Sequence, residues 1–274
     1  MKEAVDFLAE SESLYQLTRD TSAEFSARET QFKGWSIDDI IGHLHLWNVG
    51  ADLSLCDPAA FDRHVSAFWQ AIKGGESRQS YTSRWSGCLT GARLRETWRD
   101  FFIPMSARFV STDSKQRVRW IGPDMSVRTS ITARLMETWA HGQAIYDLLG
   151  IERISSDAIR SIAQLGVNTR AWTFTNRALQ VPAVAPFIEL HAPSGQIWTW
   201  NEENDVEVIR GSAMAFCQIV TQTRNVADTT LNIAGTGAKA WMSMAQCFAG
   251  APEAPPAPGT RYRFTGPGHS RAPR

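Results

Sequence analysis

Glu137 and His141 stand four residues apart in the run Arg134-Leu135-Met136-Glu137-Thr138-Trp139-Ala140-His141-Gly142-Gln143. On a helix that spacing places both side chains on one face, one above the other. A carboxylate and an imidazole so placed are half of a metal site, provided another element supplies the remaining ligands. A Glu–His hydrogen bond at the rim of a helical core uses the same spacing and is the commoner reading of it. More imidazoles come from Gly42-His43-Leu44-His45. His43 falls three residues after Ile40 and four before Trp47, inside an apolar stripe, and is the better ligand candidate. His45 points to the opposite side and is the weaker. A single His on an apolar face is more often a core residue with its polar atoms satisfied than a ligand.

The elements that must position these residues are helices. Residues 130–149 carry Ile131, Leu135, Trp139, Ile145 and Leu149 on one apolar arc, and Gly150 follows as a stop. Glu137 and His141 border that arc. In Trp35-Ser36-Ile37-Asp38-Asp39-Ile40, Ser36 can cap a helix and Asp39 return the bond, with Trp35 and Ile40 placed as a hydrophobic staple. The spacing predicts a helix from Ser36 to about Leu55, with Ile40, Leu44, Trp47, Ala51 and Leu55 inward. Further helices are predicted over residues 3–29, with Val5, Leu8, Leu14 and Leu17 as the stripe, over 58–72, and over 87–109, where Pro104 kinks or interrupts the run. Residues 111–129 read as a loop.

After residue 152 the pattern changes. Residues 157–167 read as a helix, which 168–178 continue or follow. Phe187–His191 and Gln196–Trp200 alternate about Pro193-Ser194-Gly195, a β-hairpin signal. Residues 206–209 and 230–233 read as strands, and 211–223 and 236–248 as helices. The fold class is therefore α+β, with a helical bundle over 1–152, a small α+β domain over 153–250 and a Pro-, Gly- and Arg-rich tail or strap over 251–274. Bundle cores are a usual place for metal sites built from facing helices.

Composition narrows the function classes. Lys plus Arg and Asp plus Glu are both 28, so electrostatics favour neither nucleic acid nor an anionic membrane as partner. Hydrophobic residues are 43% and charged residues 20%, the balance of a globular protein. No apolar stretch is long enough to span a bilayer. The opening Met1-Lys2-Glu3-Ala4-Val5-Asp6 lacks the basic and apolar regions of a signal peptide. Cys56, Cys88, Cys217 and Cys247 include no Cys-x-x-Cys pair and read as buried free thiols of a cytoplasmic protein. Eleven Trp residues suggest bulky cores or an aromatic-lined pocket.

The combination of Gly34-Trp35-Ser36 and Gly42-His43-Leu44 with Ala133-Arg134-Leu135-Met136-Glu137-Thr138-Trp139-Ala140-His141-Gly142-Gln143 resembles the DinB-like metal-binding proteins. The nearest branch is the one that includes mycothiol-dependent maleylpyruvate isomerase. Leu165-Gly166-Val167-Asn168-Thr169-Arg170 and Ile197-Trp198-Thr199-Trp200 are similar to that branch's second half, so the resemblance runs to about residue 250. It implies an up-and-down bundle that binds a divalent metal, commonly zinc, with ligand roles falling on His43, Glu137 and His141. It also implies a sterol-carrier-protein-like second domain. Three protein ligands leave a position open, as catalytic zinc sites do.

The activity implied is that of a thiol-dependent transferase or isomerase, in which a low-molecular-weight thiol attacks a small electrophile. None of the chain's cysteines is placed to be the nucleophile, so the thiol would be a cosubstrate. The alternative is a DinB-like protein without thiol chemistry, either a hydrolase using metal-bound water or a ligand-binding protein. Ala144 stands where relatives often carry an acid, while Asp147 is retained as a candidate catalytic group. Arg134 can neutralise a substrate carboxylate or serve as a partner of Glu137. Arg224 can reach an anionic cosubstrate or lie solvated at the surface. His64, His191 and His269 have no matching partners. The expected assembly is a monomer or homodimer.

Overall fold

The computed structural model describes residues 1–264 and divides into two compact units, Met1–Gly142 and a second beginning at Gln143. The first unit is helical. It contains α1 (Lys2–Thr18), α2 (Ala23–Ser26), α3 (Ile37–Cys56), α4 (Pro58–Lys73), α5 (Arg78–Trp85), α6 (Gly91–Ser111) and the start of α7 (Val127–Leu149). Two-residue strands β1 (Arg117–Val118) and β2 (Met125–Ser126) pair antiparallel before α7.

α3 is the central helix, packing against α4, α5 and α6, while α1 packs against α6. Its start is fixed locally. Ser36 Oγ accepts from Asp39 N at 3.1 Å and Asp39 Oδ2 accepts from Ser36 N at 2.9 Å, the reciprocal cap anticipated from sequence. Burial of α3 extends well beyond one stripe: Ile41, His45, Leu46 and Asn48 are buried together with Ile40, Leu44, Trp47 and Ala51. A helix enclosed on most sides loses the amphipathic signature of a surface helix. Gly42 lets α5 approach, since a Cβ there would lie 3.0 Å from Thr82 Cγ2.

Two expectations for this unit are corrected, and one helix was not anticipated. The helix predicted over 3–29 ends at Thr18, whose hydroxyl donates back to Leu14 O, and Ser22 caps the separate turn α2 through Phe25 N. Its buried face is Ala4, Phe7, Ser11, Leu14 and Thr18, while Val5 is exposed. Pro104 lies inside α6 without interrupting it. Both Pro104 and Asp100, whose carbonyl loses its donor, are on the exposed side, where water can take the bond. α5 gave no apolar periodicity because only Tyr81 and Thr82 are buried; Ser77 caps it through Ser80 N.

The second unit is α+β. After α8 (Ile159–Asn168) and α9 (Arg170–Thr175) come β3 (Phe187–His191), β4 (Ile197–Trp200), β5 (Val208–Ser212), α10 (Ala213–Val220), β6 (Asn232–Ala234) and α11 (Thr236–Met242). The sheet order is β4-β3-β5-β6. The anticipated hairpin is present, with Ile188 opposite Trp200 and His191 opposite Ile197. β5 joins β3 in parallel, Phe187 opposite Val208, and β6 closes the edge antiparallel to β5. α10 packs on α8, where a Cβ on Gly166 would lie 2.9 Å from Val220. Residues 251–264 follow as an extended strap: Arg177 and Gln222 donate to Glu253 O, Asn225 to Pro256 O, and Phe264 N to Asp147 O. Cys217 and Cys247 are buried as expected, but Cys56 and Cys88 are exposed. Among the described residues, no helix is long and apolar enough to cross a membrane.

Candidate metal centre

His43 on α3 meets Glu137 and His141 on α7 within the first unit. Glu137 Oε2 lies 3.4 Å from His43 Nε2 and 3.1 Å from His141 Nε2. The imidazole centroids are 4.8 Å apart, with planes at 70°. One ligand atom from each residue lies within 4.8 Å of the others, and among the described residues no other His, Cys, Asp and Glu side chains form such a group. The side chains retain little exposure, 13% for each His and 24% for Glu137.

The electrostatics favour an ionised Glu137 and a neutral His43. Burial alone would raise the Glu137 carboxyl, but hydrogen bonds from His141 and His43 and the nearby Arg134 charge outweigh it and hold Glu137 well below the usual carboxylate range. Burial pushes His43 down to about 4, with the charges of His141 and Arg134 adding to it and the hydrogen bond to Glu137 opposing it. Metal binding requires a neutral imidazole and an ionised carboxylate. Two nitrogens and one carboxylate oxygen suit zinc in an open site and equally a divalent iron site. Donor atoms about 2 Å from one ion lie within about 4 Å of each other, close to the spacing already present. The residues fit a divalent metal.

The other anticipated residues fall as follows. Arg134 is buried one turn before Glu137; its Nε donates to Asn48 Oδ1 at 3.1 Å and its Nη2 has no hydrogen-bond partner among the described residues. Burial lowers it to about 10, with Glu137 opposing the shift. His45 is away from the cluster, packed against Trp85 and Phe101, and His64 lies between Trp47 and Trp85. Asp147 and Arg224 belong to the second unit, where they form a two-point ion pair at 2.7 and 2.8 Å. Arg224 is thus not a freely solvated side chain. His191 is exposed on β3, Ala144 is buried on α7, and His269 lies outside the described residues. Sequence reasoning missed Phe32, and gave Trp35 a role only at the helix cap; both rings lie against His141. The positive-φ pair Lys33–Gly34 between them was the available signal of a turn.

A helical bundle with a His–Glu–His cluster between two helices, followed in the chain by a small α+β unit, defines a class of two-unit proteins with a candidate metal centre in the bundle. The chain belongs to the mycothiol maleylpyruvate isomerase N-terminal domain family, whose model matches residues 7–146. It is 36% identical over 248 residues to an uncharacterized protein of Mycobacterium tuberculosis, matched in the CDC 1551 and H37Rv strains alike, covering 90% of this chain and 95% of that protein. The crystal structure of the mycothiol-dependent maleylpyruvate isomerase shares the fold, with a TM-score of 0.51 and 11% identity over 85% of this chain and 91% of that one.

Proposed function

We propose that the protein is a divalent-metal-dependent enzyme that uses a low-molecular-weight thiol on a small electrophile, as a thiol-dependent isomerase or transferase. The observation that carries this reading is the convergence of one ligand atom each from His43, Glu137 and His141 within 4.8 Å of one another. The family's name adds the thiol, and mycothiol is the first to test. Zinc is the proposed metal and the cytoplasm the proposed compartment; the second unit is read as sterol-carrier-protein-like.

His43, Glu137 and His141 would hold the ion. When bound, it would supply positive charge that favours thiolate over thiol. Glu137 contributes one negative charge, and buried Arg134 offsets it, so the protein groups leave the site close to neutral and receptive to an anionic sulfur. Its place beside Glu137 and Asn48 supports that role for Arg134 over contact with a substrate carboxylate. In an isomerisation the sulfur adds to one carbon of a conjugated double bond, the resulting single bond rotates, and expulsion of the thiolate restores the double bond. In a transfer the adduct is kept after a proton reaches the neighbouring carbon. Asp147 and Arg224 are proposed to serve as a unit, since Arg224 can meet an anionic cosubstrate only by sharing the Asp147 carboxylate.

The test is turnover of maleylpyruvate by zinc-loaded protein with and without mycothiol, beside Glu137→Gln. Turnover that needs both the thiol and Glu137 is expected. Equal turnover without thiol would replace the reading with hydrolysis, and no turnover of any electrophile in a screened panel would leave a ligand-binding protein.

A further inference from the structure

The turn before α3 carries two aromatic rings to the two imidazoles. Thr30 N donates to Trp35 O at 2.8 Å and Trp35 N to Phe32 O at 2.9 Å, closing a tight turn. Lys33 and Gly34 take the left-handed conformation within it, at φ 54° and 70°, where a glycine relieves the strain at one of the two positions. A bridge between Glu29 and Ser36 fastens its base. The rings then fall in a definite order. Phe32 meets His141 edge-on, centroids 4.8 Å apart at 79°. Trp35 lies parallel to His141, at 5.9 Å and 2°, and meets His43 edge-on at 5.2 Å and 67°. Trp35 is 7% exposed, so water does not compete for these contacts.

A metal-binding imidazole is ordinarily held by a hydrogen bond from the ring nitrogen that does not face the ion. His141 Nδ1 is buried and has no hydrogen-bond partner among the described residues. The rings of Phe32, Trp35 and His43 pack against His141. We propose that Trp35, assisted by Phe32, is the positioning residue of the metal centre, one indole setting the planes of both imidazoles where a hydrogen bond would otherwise hold His141. Aromatic pairs at these separations and angles have preferred geometries, and two histidines that share one indole are set together. The functional meaning rests on the metal reading above; the ring geometry does not.

The experiment compares full-length wild type with Trp35→Leu, Trp35→Phe and Phe32→Leu in two measurements. The first is Co2+ affinity by competition with a chromophoric chelator. The second is NMR of the histidine ring protons in the metal-free protein. Trp35→Leu should weaken Co2+ binding about ten- to a hundredfold, the range for removing a group that orients a ligand. Phe32→Leu should weaken it less, and Trp35→Phe should recover most of the loss. In the metal-free protein, Trp35→Leu should remove the indole's share of the ring-current shifts on His43 and His141 and the aromatic contacts from residue 35, and broaden both rings. Co2+ affinity unchanged in Trp35→Leu would overturn the proposal. If that variant does not fold, half-buried Phe32 carries the test, and Phe32→Leu with unchanged affinity and unchanged His141 signals overturns it. A wild type that takes up no Co2+ removes the metal reading instead, and the metal-free spectra then decide: unaltered His43 and His141 ring orientation in Trp35→Leu overturns the positioning role.

Discussion

The guanidinium of Arg134 is tied to α3 by a hydrogen bond, Nε to Asn48 Oδ1 at 3.1 Å, with both residues almost wholly buried. A buried cation that loses its partner costs far more than the bond itself is worth. Asn48→Leu should therefore destabilise the protein by about 3 kcal/mol. Adding Arg134→Met removes the stranded charge and should restore part of that loss. Urea unfolding of the two single variants and the double variant measures the coupling. Strictly additive effects would show that Asn48 does not stabilise the charge.

Glu137 receives both imidazoles on one oxygen, and a buried carboxylate is the hardest of the three candidate ligands to replace. Glu137→Gln keeps the shape but removes the charge, so metal content should fall steeply while the helical circular dichroism is retained. His43→Ala should also lose the metal, because only two ligands remain, both on α7. Elemental analysis of the purified proteins reads the outcome directly. Metal at the wild-type level in both variants would place any bound ion elsewhere in the chain.

The features legible in the sequence were those written in neighbouring residues. Ser36 and Asp39 bond each other three positions apart, so the start of α3 could be read, and so could the Phe187–Trp200 hairpin with its turn residues. The Glu137–His141 pair was legible as a spacing, but its tie to His43 spans 94 positions and was supplied by family resemblance. α5 was hidden because burial of two residues leaves no periodic signal. The Trp35–His141 contact was hidden because that ring belongs to α7, and no local pattern says which helix a turn will face. Asp147 and Arg224 were each noticed separately; their pairing, 77 positions apart, exists only in the folded second unit.

That pairing carries its own prediction. Asp147 accepts from both Nη atoms of Arg224 and from Gln143 Nε2 at 3.0 Å, with 5% of its side chain exposed. Removing one member of a buried, two-point pair leaves the other charge unmet. Asp147→Asn should cost about 3–5 kcal/mol, and Arg224→Lys should cost nearly as much, since an ammonium cannot reproduce the fork. Thermal unfolding of both variants checks this. A change in melting temperature no larger than that of an exposed control such as Arg263→Lys would mean that the pair is not structural.

His45 gives the protein an acid sensitivity separate from the candidate metal centre. Burial against Trp85 and Phe101 lowers it from 6.5 to about 4, and its Nδ1 has no hydrogen-bond partner among the described residues. The folded state therefore holds His45 neutral while the unfolded chain protonates it below about 6.5. The unfolded state binds more protons in that window, so its contribution to stability is complete above pH 6.5 and is lost as pH falls through 4. A displacement of this size corresponds to about 3 kcal/mol at most. His45→Phe keeps an aromatic ring in the pocket and removes the proton site. Its stability should match wild type or exceed it at pH 7, and its advantage should grow steadily from pH 6.5 to 4.5 in chelator-treated protein. His43, present in both proteins, cancels from the comparison. Parallel stability curves for the two proteins across that range would show that His45 titrates in the folded state as freely as in the unfolded chain.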